Sequence, residues 1–278
     1  MESVVNIVWR IKLKIVVLVK QVPATDHVKM DEETGTMIRD GVASEVNSLD
    51  LYAIEEAVRI KEKLGDGVEI TVISMGPKKA VEAVKSAIAL GCDKGYVLND
   101  KKFAGSDTWS TAYALSAGIK SLVGDFDMVL CGERATDGET GQVGPEVGAY
   151  LDIPVLTYVS KIEQIHEGKL IAQRAIEGGH ERVETRMPVL VSVVKEINDP
   201  RMPNFKGKMK AKNAEIPLVT AEDIHADETK LGLKGSPTRV VKIFRPRVTR
   251  KGRVVSAKDD PEGAVNGLMG FFKDKGMI

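Results

Sequence analysis

The chain predicts an α/β fold: a doubly wound parallel sheet, extended by antiparallel strands and followed by a C-terminal arm. Three observations carry that expectation. Short β-branched runs alternate with segments whose apolar residues recur every three or four positions, the pattern of strand–helix–strand units that build a parallel sheet. The fourth run is followed by a glycine-rich turn and another helical segment, which leaves main-chain N–H groups free at a helix N-terminus. Beyond residue 154 the helical period fades and β-rich segments follow one another at short spacing.

Each element has a local reason. Lys14 to Lys20 (KIVVLVK) is nearly continuous in apolar residues, as a strand buried on both faces must be. It opens into Gln21-Val22-Pro23-Ala24-Thr25-Asp26, a loop at the carboxyl end of a strand, where open α/β sheets take their ligands. Val28 to Gly41 alternates weakly about Glu33-Thr34-Gly35 and predicts a small hairpin. Asn47-Ser48-Leu49-Asp50 begins the first helix, with Leu51, Ile54, Ala57, Val58 and Leu64 on one stripe and Ser48 or Asp50 as its cap. Val68 to Met75 is the second strand, stopped by Gly76-Pro77, and Lys78 to Leu90 is the next helix, ending at Gly91. Gly95 to Leu98 is the third strand. Asp107 to Val123 is a helix capped by Ser106 or Asp107, with Trp109 assigned to packing. Met128 to Cys131 is the fourth strand, and Glu146 to Leu151 continues as a helix. Right-handed crossovers then bring residues 19–26, 74–77 and 132–145 together at one edge of the sheet, as a nucleotide cleft.

In the second half, Val155–Val159, Lys169–Ile176, Val183–Thr185 and Val189–Val194 read as antiparallel strands separated by Glu167-Gly168 and Gly178-Gly179. Glu196 to Phe205 is a proline-punctuated loop, followed by Lys206, Lys208, Lys210 and Lys212. From Ile216 long periodic elements are lost. Arg239, Lys242, Arg245, Arg247, Arg250, Lys251 and Arg253 form a basic stretch with no acid inside it. Pro261 to Lys275 closes the chain as an amphipathic helix with Val265, Leu268, Met269 and Phe272 on one face. The expected division is an extension over 1–13, a nucleotide-binding domain over 14–215, and an arm over 216–278.

Bulk composition excludes several classes. The 278 residues are 43% apolar, enough for an ordinary core. Forty basic and forty acidic side chains cancel, so no overall field favours nucleic acid or a membrane surface. With aromatic interleaving limited to Phe244, the basic stretch reads better as an arm on a partner protein than as a nucleic-acid grip. No run of 18 apolar residues exists to span a membrane. Val4 to Ile11 is broken by Asn6 and Arg10, too short and wrongly flanked for a signal peptide. Cys92 and Cys131 lie far apart and read as reduced and structural, which points to the cytoplasm. His27, His166, His180 and His225 have no metal-ligand spacing. No Ser/His/Asp order appears either, so a cofactor is expected to carry any chemistry.

The turn after the fourth strand matches no standard phosphate loop. Its glycines are Gly138, Gly141 and Gly144, neither G-x-G-x-x-G nor a loop ending in Gly-Lys-Ser/Thr. Glu133, Asp137 and Glu139 would repel phosphate unless they turn away, and Arg134 is the turn's cation. Residues alone leave a phosphate cradle and a plain surface turn both open.

Asp137-Gly138-x-Thr140-Gly141-Gln142-Val143-Gly144-Pro145 resembles the nucleotide-binding signature of the electron transfer flavoprotein beta subunit. The resemblance runs from about Lys14 to the C-terminus and includes the hairpin turn Glu177-Gly178-Gly179-His180-Glu181. It implies an adenine-nucleotide-binding, Rossmann-like domain whose cofactor-facing set is Leu18, Lys20, Asn47, Met75, Gly132, Arg134, Asp137, Gly138, Glu139, Thr140, Gly141, Gln142 and Val143. On this view the N–H groups of Gly138 to Gln142 bind the diphosphate, and Thr140 and Gln142 add side-chain donors. Asp137 and Asn47 orient ribose or adenine, and Met75 lies against the adenine.

Thr140 to Pro145 looks like the electron-bifurcating members, with small Val143 and Gly144 leaving room for a whole FAD. The resemblance therefore implies FAD and NAD(H), with AMP as the alternative occupant. It implies an alpha subunit carrying a second FAD and wrapped by the C-terminal arm. It implies a redox partner dehydrogenase or quinone oxidoreductase, docked through Phe205 with Met202 beside it, and a ferredoxin-like low-potential acceptor. Two other classes stay in view: an adenylating ATP enzyme of a related superfamily, whose serine-glycine-rich loop is missing here, and a nucleotide-sensing domain without redox chemistry.

Overall fold

A computed structural model describes residues 12–24, 44–241, 252 and 254–278. The extension over 1–11, the hairpin expected over 28–41 and most of the basic stretch, Lys242 to Arg253, lie outside the described residues.

Four parallel strands form the centre: β1 (Leu13–Leu18) flanked by β4 (Val68–Met75) and β6 (Met128–Gly132), with β5 (Lys94–Leu98) beyond β4. Between β1 and β4 the chain makes a short antiparallel pair, β2 (Gln21–Pro23) with β3 (Ser44–Val46), and then α1 (Asp50–Leu64). The next crossovers are α2 (Val81–Leu90), α3 (Thr108–Leu122) and α4 (Val143–Leu151). Val16 and Val17 are both fully buried although they face opposite sides of β1. That requires helices on both faces. Ile15, Val17, Ile70, Val72 and Leu130 pack against α1 and α2, whereas Val16, Leu18, Ile73 and Val129 pack against α3 and α4. The sheet is doubly wound, as expected.

The remaining strands are β7 (Val155–His166), β8 (Lys169–Ile176), β9 (Gly179–Arg186), β10 (Val189–Val193) and a two-residue β11 (Leu218–Val219). Nine strands lie in the order β11-β5-β4-β1-β6-β10-β7-β8-β9. One expectation is corrected. Of the four strands expected to pair antiparallel, β7, β8 and β9 do so, whereas β10 inserts between β6 and β7 and runs parallel to both. Val189, Leu190, Val191 and Val193 are all fully buried, which is the requirement of a parallel strand covered on both faces. Closeness in sequence to the β8–β9 hairpin disguised it.

Three local readings also shift. The lysine-rich segment after the proline loop is a helix, α5 (Phe205–Asn213), started by Asn204, whose side chain accepts the Gly207 N–H. α4 begins three residues earlier than expected, at Val143. Neither Ser48 nor Asp50 caps α1, while Asp107 does cap α3 by accepting the Ser110 N–H. Past Asn213, β11 adds to β5, and the short α6 (Gly232–Gly235) packs on α3.

The chain divides into two units, residues 1–240 and 241–278. The second holds α7 (Pro261–Asp274), capped by Asp260 and carrying exposed Val265, Leu268 and Met269.

Helix α4 comes very close to the sheet at Gly148, where a Cβ would stand 2.2 Å from Val155 Cγ2. Gly148→Ala gains at most about 1 kcal/mol of helix propensity. It forces an overpacked contact that costs roughly 1–3 kcal/mol. Net destabilisation is expected in urea denaturation, where an ordinary exposed helix Gly→Ala stabilises.

Candidate functional site

In this strand order the chain leaves β1 toward one face and β6 toward the other, so a crevice opens between their carboxyl ends. The last paired residues of the two strands are Val17 and Leu130. Beyond them the backbone must find other partners. The loops after β1 and β4 are tied together: Val19 N–H donates to Ile73 O at 3.1 Å and Gln21 Nε2 to Lys79 O at 2.9 Å. The loops after β1 and β4 thus meet, and Lys20 in turn ties the first of them to Asp137 in the loop after β6.

A four-residue turn before α1 binds the other side of the crevice. Asp50, 6% exposed, accepts the Lys20 N–H on Oδ2 at 2.7 Å and the Gly132 N–H on Oδ1 at 3.3 Å. Asn47, 1% exposed, donates its own N–H to Lys20 O at 2.8 Å. Its Nδ2 donates to Arg134 O at 2.9 Å, and its Oδ1 accepts the Thr136 N–H at 3.1 Å. Asn47 thus acts on the cleft through the loop backbone. Gly132 must be glycine because a Cβ would lie 2.7 Å from Asp50 Oδ1 and 2.7 Å from the Leu49 carbonyl carbon.

The loop then turns back on itself. Ala135 O accepts the N–H groups of Gly138 at 3.3 Å and Glu139 at 2.8 Å. These two amides, expected in the phosphate cradle, are already used. Glu139 and Gly141 take positive φ, 53° and 65°. Among the described residues, the next five N–H groups, Thr140 to Gly144, have no protein acceptor, and they lead into the first turn of α4. The amides left without acceptors thus begin two residues later than the expected set and run to the helix N-terminus, the positive end of the helix dipole. Thr140 and Gln142 are exposed beside it, and Gln142 makes no capping bond with its side chain.

Two of the loop's acids are paired, while Glu139 is exposed and has no partner among the described residues. Lys20 Nζ meets Asp137 Oδ1 at 2.6 Å, and the Arg134 guanidinium binds the neighbouring Glu133 carboxylate. Glu146, in the first turn of α4, points to α3 and accepts the Thr108 hydroxyl at 3.1 Å. Burial raises its pKa, against the pull of the Thr108 hydrogen bond.

The other expected residues fall into place unevenly. Met75 is half-buried at the end of β4, Leu18 is buried in the α3–α4 core, and Val143 packs against that same core. Gly144 is not a spacer for cofactor. A Cβ there would lie 2.8 Å from Cys131 Sγ, so the glycine lets α4 sit on the sheet. Met202 and Phe205, 87% and 81% exposed, stand outside the crevice, because Arg201 fixes their loop to Glu55 and Glu62 further along α1. Asp50 was missed as a site residue, since in sequence an acid at a helix start reads only as a cap. Among the described residues, no group of three or more His, Cys, Asp or Glu is placed to hold a metal, and no helix is long and apolar enough to cross a membrane.

Fold and cleft together define a Rossmann-like α/β protein whose topological switch point carries a row of amides with no protein acceptor among the described residues. Residues 34–224 match the electron transfer flavoprotein domain. The chain is 48% identical over 243 residues to the electron transfer flavoprotein subunit beta of Thermoanaerobacterium thermosaccharolyticum, covering 87% of this chain and 92% of that protein. It is 41% identical over 266 residues to the caffeyl-CoA reductase-Etf complex subunit CarD of Acetobacterium woodii, covering 96% of this chain and 100% of CarD. To protein FixA of Azotobacter vinelandii it is 37% identical over 254 residues, covering 89% and 90%. The chain belongs to the electron transfer flavoprotein family, among its beta subunits. Its work is accordingly electron transfer, alongside an alpha subunit.

Asp50 makes a pH test. Burial pushes it from its ordinary 3.8 up to about 7, against the pull of the Lys20, Asn47 and Gly132 hydrogen bonds. Between those values the folded chain keeps a proton that the unfolded chain has lost. Its contribution to stability therefore falls as pH rises from about 4 to about 7 and is flat above. Asp50→Asn cannot ionise, so its melting temperature relative to wild type should climb across that window and then level. A difference constant with pH would show that Asp50 titrates normally.

Proposed function

We propose that this chain is the beta subunit of an electron-bifurcating flavoprotein, holding FAD in the crevice between β1 and β6 and receiving electrons there from NADH. The observation that carries the reading is the row of five N–H groups, Thr140 to Gly144, that have no protein acceptor among the described residues. They run into the start of α4 at the switch point, which suits a diphosphate. The likeness of Thr140 to Pro145 to the bifurcating members supports FAD as the occupant. When bound, FAD would supply the two-electron chemistry, sending one electron toward a ferredoxin-like acceptor and the other toward the alpha-subunit FAD.

This chain's residues bind and orient. The Thr140 to Gly144 amides take the phosphate oxygens, with the Thr140 and Gln142 side chains as further donors. Lys20 holds Asp137 so that its carboxylate does not face the phosphates. Met75 offers an apolar contact to the adenine. AMP in the same cradle is the second reading, because the cradle recognises the phosphate end that both nucleotides share. Buried, unpaired Cys92 and Cys131 suit a reducing cytoplasm.

Docking of the redox partner dehydrogenase or quinone oxidoreductase is assigned to α5 and the loop before it. Arg201 clamps the loop with four side-chain bonds of 2.5 to 3.1 Å to Glu55 and Glu62. Burial alone would raise Glu55, but the Arg201 and Arg59 guanidiniums hold it below the usual carboxylate range. Gly207 lies directly on α2, where a Cβ would be 2.0 Å from Ala89 O, and Ala211 is buried. Phe205, Lys208, Met209 and Lys212, at helical spacing, share the opposite, exposed face. This rigid apolar and basic face suits a partner whose pocket is rimmed by carboxylates.

Three outcomes test the reading. The alpha–beta heterodimer should release two FAD and no AMP on acid extraction; one FAD and one AMP would select the simple carrier. Gly141→Val, a branched residue forced to positive φ, should purify without nucleotide in the beta cleft. Full retention would put the cradle elsewhere. Lys208→Glu with Lys212→Glu should slow electron transfer to a partner flavoprotein by about tenfold at low salt and much less at high salt. Equal rates at all ionic strengths would remove α5 from the docking surface.

A further inference from the structure

We propose that Asp50 is a positioning residue for the nucleotide cleft: its carboxylate sets the separation of the loops leaving β1 and β6, and with it the placement of the Thr140 to Gly144 amides. This rests on the nucleotide reading above and adds the group that keeps the cleft in shape.

The two N–H groups that Asp50 accepts belong to Lys20 and Gly132, both beyond the last β1–β6 pair. One side chain supplies an acceptor to each of two diverging strand ends. A carboxylate has two acceptors and no donor, whereas an asparagine of the same shape would turn its NH2 group toward one of the two amides. Three residues earlier Asn47 extends the bracket, binding Lys20 O, Arg134 O and the Thr136 N–H. Downstream, Ala135 O holds Gly138 and Glu139, and Lys20 Nζ holds Asp137, so the chain enters Thr140 from a defined direction. The turn of residues 47–50 thus touches both strand ends and the binding loop.

Its energetics separate positioning from stabilisation. Burial opposes the ionised form of Asp50, yet the ionised form is the one that accepts both amides. Among the described residues, the titratable groups facing it are the Lys20 ammonium and the Cys131 thiol, which burial keeps protonated. A group whose charge costs folding free energy while it orders a binding loop gives a signature that simple scaffolding does not.

The experiment uses the nucleotide-stripped alpha–beta heterodimer, with FAD and AMP as probes in calorimetry. Asp50→Asn should bind the nucleotide that wild type binds about tenfold more weakly, the scale of one lost hydrogen bond to a charged group. Its melting temperature at about pH 8 should equal or exceed wild type. Hydrogen exchange should accelerate at the Lys20 and Gly132 amides and through residues 134–140. Wild-type affinity in the variant, or affinity and melting temperature falling together, overturns the proposal. Should Asp50→Asn fail to fold, Asn47→Ala carries the test: it should weaken binding while the Lys20 and Gly132 amides stay protected, and unchanged affinity overturns the proposal. A wild-type heterodimer that binds neither FAD nor AMP overturns the nucleotide reading itself, an outcome distinct from Asp50→Asn matching wild type.

Discussion

Where β1 and β6 part, two main-chain N–H groups lose their ladder partners, and Asp50 accepts both of them. A doubly wound sheet must create such a gap, because its helices leave toward opposite faces on either side of it. Water would satisfy those amides but would leave the loops free. A buried carboxylate satisfies them and fixes their distance. The close approach this needs explains Gly132, whose missing side chain lets the 47–50 turn rest against the end of β6.

In the loop that follows, most of the acids are paired or turned aside. Glu133 and Asp137 are each paired with a neighbouring cation, and Glu146 is turned toward Thr108 of α3. Glu139 is exposed and has no ion-pair partner among the described residues, and beside it lie amides that have no protein acceptor among the described residues, at a helix start. Main-chain donors recognise a phosphate without reading the rest of the molecule. On the proposed reading, this is why one cradle would suit either FAD or AMP, and why membership of the family does not by itself choose between them.

The segment proposed above for docking is held by different physics. Arg201, with two carboxylates on α1, and Gly207, lying against the backbone of α2, make the 196–213 segment rigid. Its apolar side chains stay exposed because the buried face of α5 is already occupied. Cleft and α5 segment both hang on α1, whose first residue brackets the crevice and whose later acids clamp the loop before α5.

Periodicity and β-branched runs were enough to read β1, β4, β5, β6 and their crossover helices, because each signal lies within a few adjacent residues. The glycine-rich turn was likewise legible as a tight turn, since backbone freedom is written in glycine. What sequence could not show is anything decided by residues distant along the chain. β10 looked like one more antiparallel strand until its burial between β6 and β7 made it parallel. Gly144 looked like space for a cofactor and is space for Cys131. Asp50 looked like a helix cap, and Asn47 like a ligand contact. Both act through amides about thirty or ninety positions away, partners that local pattern cannot name and that exist only once the sheet has closed.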